Sequence, residues 1–238
     1  MKKNLLLLAG FCWLGAQLLV STGSAADETK PIKIGAIFSV TGPASFLGAP
    51  ESKTAKMLVD KINASGGVLG QKLELIIKDS GGKPENAVSF AKQLIEEDKV
   101  LAIIGPSTSG ETLQIKALCE ENQMILVSCA AADAIVNPLA KYVFKTPQKD
   151  SQAATWIYRT MKEKGITKIA VLTGNDGFGA SGKKQLEALA KTEGIEIVAN
   201  EVFDKQATDL TDVLTKIKAT PGVLPRRAGV QNGKDARG

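Results

Sequence analysis

Histidine is absent from all 238 residues. That absence excludes the Ser-His-Asp triad, the Cys-His nucleophile pair and the histidine-rich zinc, haem and facial-triad centres. Arginine is scarce. Of the four present, Arg226, Arg227 and Arg237 fall in the last thirteen positions, so lysine carries the positive charge elsewhere and the far C-terminus is compositionally foreign. Cysteine is limited to Cys12, Cys119 and Cys129. What remains, 44% hydrophobic and 23% charged, is the balance of a folded soluble chain with room for one large or two small domains.

The N-terminus reads as a leader. Lys2 and Lys3 precede sixteen mostly apolar residues, Leu5 to Val20, then the small residues Ser21 to Ala26 and the polar Asp27-Glu28. This is the three-part layout of a secretory signal peptide, with cleavage expected after Ala26. A retained anchor would need roughly 20 apolar residues to span a bilayer. Phe11 before Cys12 is too large for lipoprotein processing. Once residues 1–26 and the basic tail from Leu224 are set aside, residues 27–223 carry 24 basic and 24 acidic side chains. The high pI therefore lends no support to nucleic-acid or membrane-surface binding. Cys119 is expected late in a helix and Cys129 at the far end of the next strand, too far apart to bridge within the roughly 7 Å Cα limit, so two free and mostly buried thiols are expected.

Between these ends the chain alternates strand-length apolar runs with helical periodicity. Strands are expected at Ile32–Phe38, Leu73–Ile77, Val100–Ile104 and Met124–Val127, and a short one at Tyr142–Phe144. After Pro147 the pattern restarts with a helix from Ser151 to Lys164, strands at Ile169–Leu172 and Ile195–Val198, and a last helix with the stripe Leu210, Val213, Leu214, Ile217. Ala87, Val88, Ala91, Leu94 and Ile95 share one helical face, and Leu58 and Ile62 with the exit Gly66-Gly67 mark another helix. Such alternation predicts parallel α/β sheets with ligands at the carboxyl ends of the strands. A hinge is expected near Lys145-Thr146-Pro147.

Two glycine-rich segments carry candidate chemistry. Gly177 to Gly182 matches G-x-G-x-x-G, and with Lys183 the start of a phosphate loop, but Lys184 cannot supply the magnesium-holding hydroxyl and three residues separate the first glycine from its strand. A cleft-lining loop is the better reading. Gly105-Pro106-Ser107-Thr108-Ser109-Gly110 joins the third strand to a helix, where three hydroxyls and the first helical amides suit a carboxylate. Helix capping, with Thr108 and Glu111 as a capping box, is the alternative. Ser128 to Asp133, at the next strand end, is made of small residues that let a ligand approach the backbone.

Longer motifs stand at Ile34-Gly35 to Pro43, Asp60 to Gly70, Lys78-Asp79-Ser80 with Pro84, Ile104-Gly105-Pro106 to Gly110, and Phe144-Lys145-Thr146-Pro147. Together they resemble one family, the exported solute-binding proteins of ABC transporters for branched-chain amino acids. The resemblance runs from Ile32 to Gly222. It implies an α/β, type I periplasmic-binding-protein fold: two Rossmann-like lobes with parallel sheets, the first over 27–145 and an incomplete second over 146–223. It further implies a periplasmic monomer without cofactor or catalysis, binding an amino acid or small carboxylate and presenting it to an ABC permease in the inner membrane.

By correspondence, Ser109 would bind a ligand carboxylate and the Ala130 carbonyl an ammonium. Ala132 stands where the family usually has threonine, Leu47 where an aromatic covers the pocket with Phe46 beside it, and Phe178 where a tyrosine is usual. The family pattern stops after Val223, and residues 224–238 are expected to belong to no fold, as after a frameshift. A secreted ligand sensor of the same fold remains the alternative to a transport protein, with a dehydrogenase a distant third.

Overall fold

The computed structural model describes residues 30–222; the expected leader and tail lie outside them. Five strands form one parallel sheet: β1 (Ile32–Phe38), β2 (Leu73–Asp79), β3 (Ala102–Ile104), β4 (Ile125–Ser128) and β5 (Val143–Lys145), in the order β2-β1-β3-β4-β5. The chain steps from β1 to β2 on one side, then crosses back to β3 on the other. The connections after β1 and β3 therefore leave in opposite directions and open a crevice at the carboxyl edge. Ile34, Gly35 and Ala36 of β1 pair with Ala102, Ile103 and Ile104 of β3 along its floor.

The helices of this first lobe are α1 (Ser45–Ala64), α2 (Pro84–Glu96) and α3 (Ser109–Glu121). α2 buries Ala87, Ala91 and Leu94, the i, i+4, i+7 positions of the expected face, with Val88 and Ile95 packed alongside. They meet Ile37, Ile103, Ile115 and Leu126, all fully buried, in one core. α1 behaves differently. Leu58 and Ile62, which mark it in the sequence, are exposed, and its buried residues Gly48 and Ser52 lie near its start. A Cβ on Gly48 would stand 2.3 Å from the Ser39 carbonyl oxygen, so only glycine lets this turn cross the end of β1.

The second lobe begins with α4 (Asp150–Glu163), followed by β6 (Lys168–Gly174), α5 (Gly177–Ala190), β7 (Glu196–Phe203) and α6 (Thr211–Ala219). β6 and β7 pair in parallel. Tyr158, Ala190 and Ile195 form a small core with Leu186, Leu189 and Ile197 around them, and the Tyr158 hydroxyl donates to the Leu186 carbonyl at 2.8 Å. The expected α6 stripe is only partly covered. Leu210 precedes the helix, Leu214 is exposed and no α6 residue is fully buried, because two described strands are too narrow to cover it.

Gly177 to Gly182 are all helical, within the opening of α5. This excludes the tight strand-to-helix glycine turn of a dinucleotide site. Cys119 lies in α3 and Cys129 just beyond β4, and both are free thiols.

Because Leu94 joins α2 to the sheet with no exposed surface, Leu94→Ala is expected to cost about 2–5 kcal/mol, measured as a shift in urea unfolding.

Candidate ligand-binding cleft

Three helices begin at the crevice: α1, α3 and α5 follow β1, β3 and β6 directly. A cavity of about 290 Å³ lies among their first turns. Phe46, Leu47 and Phe178 line it with large exposed apolar surfaces, Phe46 being 72% exposed. Exposed apolar side chains gathered around one cavity are a binding feature. The hydroxyl loop Ser107-Thr108-Ser109 and the small residues Ala130 and Ala131 form the opposite wall.

The three hydroxyls are not equivalent. Ser107 Oγ accepts the Ser39 amide at 3.0 Å and donates to the Glu51 carboxylate. Thr108 caps α3, accepting the Glu111 amide at 3.4 Å while its hydroxyl donates to Glu111 Oε2 at 2.5 Å. Glu111 is fully buried and also accepts from Ser39 Oγ at 3.0 Å. Its side chain thus bonds the two hydroxyls where a capping box would return it to the Thr108 amide. Ser109 Oγ instead accepts the Ala132 amide at 3.3 Å, which leaves its own proton unspent. It is the hydroxyl of the three that retains a donor for a ligand, and it sits at the positive end of α3.

The structure therefore brings five of the six candidate residues to one cavity: Ser109, Ala130, Leu47, Phe46 and Phe178. Ala132 does not line it. Fully buried behind Ser109, it contributes only its amide, which orients the serine hydroxyl.

Among the wall residues that sequence reasoning missed are the charged pair Asp176 and Lys205. Asp176 caps α5, its Oδ1 accepting the Gly179 amide at 2.8 Å and its Oδ2 pairing with Lys205 at 2.5 Å. Burial alone would raise the Asp176 carboxyl, but the bonds from Lys205 and Gly179 outweigh it and hold the group below the ordinary range. An aspartate three residues before Gly179 is a readable N-cap. Lys205 has no local signal, since it reaches the cleft only because β7 pairs with β6 as far as Gly174 and Phe203. Under the hydroxyl loop, burial raises the Glu51 carboxyl, the Ser107 bond lowers it and the nearby Glu111 raises it further.

The lobes meet directly beside the cavity. A Cβ on Gly177 would lie 2.9 Å from both the Cα and the nitrogen of Gly110, so the openings of α3 and α5 touch backbone to backbone. A second seam runs through Asp133. Its carboxylate accepts the Ser151 amide at 2.7 Å and hydroxyl at 2.8 Å, and its own amide donates to Ser181 Oγ at 3.2 Å.

Two parallel-sheet lobes closing on an apolar cleft with one oriented hydroxyl define a two-lobed ligand-binding protein. The family profile described as periplasmic binding protein matches residues 31–221. The chain belongs to that family. The Leu/Ile/Val-binding protein BraC3 of Rhizobium johnstonii is 28% identical, the match covering 87% of this chain and 56% of that protein.

Among solved structures, the branched-chain amino acid transporter substrate binding protein LivJ of Streptococcus pneumoniae, in complex with isoleucine, is 33% identical. Its TM-score is 0.70, and the match covers 80% of this chain and 55% of that one. A solute binding protein of an ABC transporter from Rhodopseudomonas palustris, in complex with 3,4-dihydroxybenzoic acid, is 25% identical. Its TM-score is also 0.70, with 79% of this chain and 51% of that one covered. The chain thus spans little more than half the length of these relatives. They are described as binding proteins, which makes binding, not catalysis, the family-level activity.

Two outcomes test this geometry. Gly177→Ala is expected to push the lobes apart while each stays folded, raising the radius of gyration in small-angle scattering with little change in helical circular dichroism. Burial, reinforced by the Glu51 charge, pushes the Cys129 thiol up to about 12. At pH 8 it is protonated, with roughly a thousandfold less thiolate than an unperturbed cysteine, and iodoacetamide should modify it correspondingly slowly until the chain is unfolded.

Proposed function

We propose that this chain is the extracytoplasmic solute-binding component of an ABC importer. It holds a branched-chain or other hydrophobic amino acid, or a related small carboxylate, between its lobes and delivers it to the membrane permease. The observation that carries this reading is the unspent Ser109 proton at the positive end of α3, facing an apolar cavity. Phe46, Leu47 and Phe178 would cover the ligand's apolar body, and the Ala130 carbonyl would take an ammonium where one is present. Relatives that bind isoleucine and 3,4-dihydroxybenzoic acid support both ligand classes. Export by the N-terminal leader would place the protein in the periplasm as a monomer.

In this mechanism the ligand bridges the lobes and shifts the population toward the closed form, whose surface the permease recognises. Closure is set by Gly110 against Gly177 and by the Asp133 seam, and no bond in the ligand is made or broken.

Isothermal titration with isoleucine, leucine and 3,4-dihydroxybenzoate tests the reading. A hydrogen bond to a charged group contributes about 1.5–3 kcal/mol, so Ser109→Ala is expected to weaken the best of these ligands by about tenfold or more. Unchanged affinity would remove the carboxylate assignment.

A further inference from the structure

Beyond the cavity described above, a larger one of about 450 Å³ opens between α4, α5 and the end of β6. The two share Phe46, Asp176, Phe178 and Lys205 as a common wall. Phe178 is 54% exposed and can rotate aside without disturbing a core, while the Lys205 side chain, 45% exposed, stays paired with Asp176 at one edge of the opening. The larger cavity is mainly apolar, with Ala153, Ala154 and Ile157 on one side and Leu172, Gly182 and Leu186 on the other.

Besides the paired Asp176 and Lys205, two polar atoms break that apolar surface. Asp150 is 93% buried, its relative exposure being 7%, and its Oδ2 has no hydrogen-bond partner. Thr173 Oγ1 is likewise buried and unpartnered. Both residues line this cavity. Burial raises the Asp150 carboxyl, while the Ser181 hydroxyl and the Lys145 ammonium act in the opposite direction and Asp133 adds to the rise. A stranded carboxylate oxygen is costly in an apolar setting, and a hydrogen-bond donor is its complement.

The two cavities therefore offer opposite chemistry. The α3 end presents a donor, Ser109, and the helix amides; the α4 end presents acceptors; between them lie the rings of Phe46 and Phe178 and the Asp176–Lys205 ion pair, whose charges are spent on each other. We propose that the joined cleft takes a two-ended ligand: a carboxylate held at Ser109, an apolar ring or chain past Phe178, and a distal hydroxyl or amine that donates to Asp150 Oδ2 and meets Thr173 Oγ1. The proposal rests on reading the first cavity as a carboxylate site. It makes Asp150 and Thr173 the residues that select among carboxylates by their far ends.

The test is titration of the full chain with two acids that differ only at the distal position, 3-(4-hydroxyphenyl)propionate and 3-phenylpropionate. The hydroxylated acid is expected to bind about tenfold more tightly. Asp150→Asn should cut that preference to within about threefold while leaving 3-phenylpropionate unchanged. Thr173→Val, which keeps the side-chain shape, should reduce the preference in the same direction and serves if Asp150→Asn fails to fold. Equal binding of both acids by the wild type, with both weakened in Ser109→Ala, overturns the distal site and leaves the carboxylate site standing. Failure of both acids to bind the wild type overturns both readings.

Discussion

One hydrogen bond organises the binding edge of this protein, the 3.0 Å contact from the Ser39 amide to the Ser107 hydroxyl. It joins the ends of β1 and β3 at the place where their connections part. Without such a tie, two diverging loops over a crevice would have no fixed spacing. With it, Ser107 is committed to Glu51 and Ser39, Thr108 to Glu111, and Ser109 is left as the hydroxyl with a free proton. The buried Glu111 carboxylate holds the same two loops a second time, through Ser39 Oγ and the Thr108 hydroxyl. Both bonds fall on Glu111 Oε2, and Oε1 is buried without a partner, so the network ties the two loops together at the cost of one unsatisfied oxygen.

Much of the fold was legible because its determinants are local. The spacing of Ala87, Ala91 and Leu94 is a property of thirteen consecutive residues, and it buries the face it specifies. The strands are readable as apolar runs: β1 has the expected ends and the others differ by at most two residues, except that β7 runs five residues further to Phe203, because hydrogen bonding there, as at Lys78-Asp79 of β2, continues past the apolar stretch. Leu58 and Ile62 show the limit of that reading. Helical periodicity identifies the helix, but which face is buried depends on how Gly48 seats the first turn on Ser39, a close backbone approach that periodicity does not encode.

The lining of the candidate cavity was legible to a similar degree. Ser109, Ala130, Phe46, Leu47 and Phe178 were accessible because strand ends and the first turns of helices are where an α/β sheet exposes its residues. Ala132, the position where the family usually has threonine, lies off the cavity because chain neighbours of a wall residue need not face the same space: its side chain packs in the core and its amide meets Ser109 Oγ. Lys205 was invisible for a different reason. It lies 96 residues from Ser109, and only the register of β6 on β7 brings it to the cleft. Non-local pairing leaves no trace in a sequence window.

The contact between Gly110 and Gly177 has a consequence for the energetics of closing. Where two lobes meet through long side chains, each closing event freezes rotamers and pays for them in conformational entropy, up to about 2 kcal/mol for a lysine or glutamate. At Gly110 and Gly177 the meeting surface is bare backbone, already ordered as helix openings, so that contact freezes no rotamers; the short side chains of the Asp133 seam, Ser151 and Ser181, have few to freeze. The lobes can therefore sample contact at small entropic cost, and the free energy released by a bound molecule goes into holding the contact rather than into ordering the surfaces that make it.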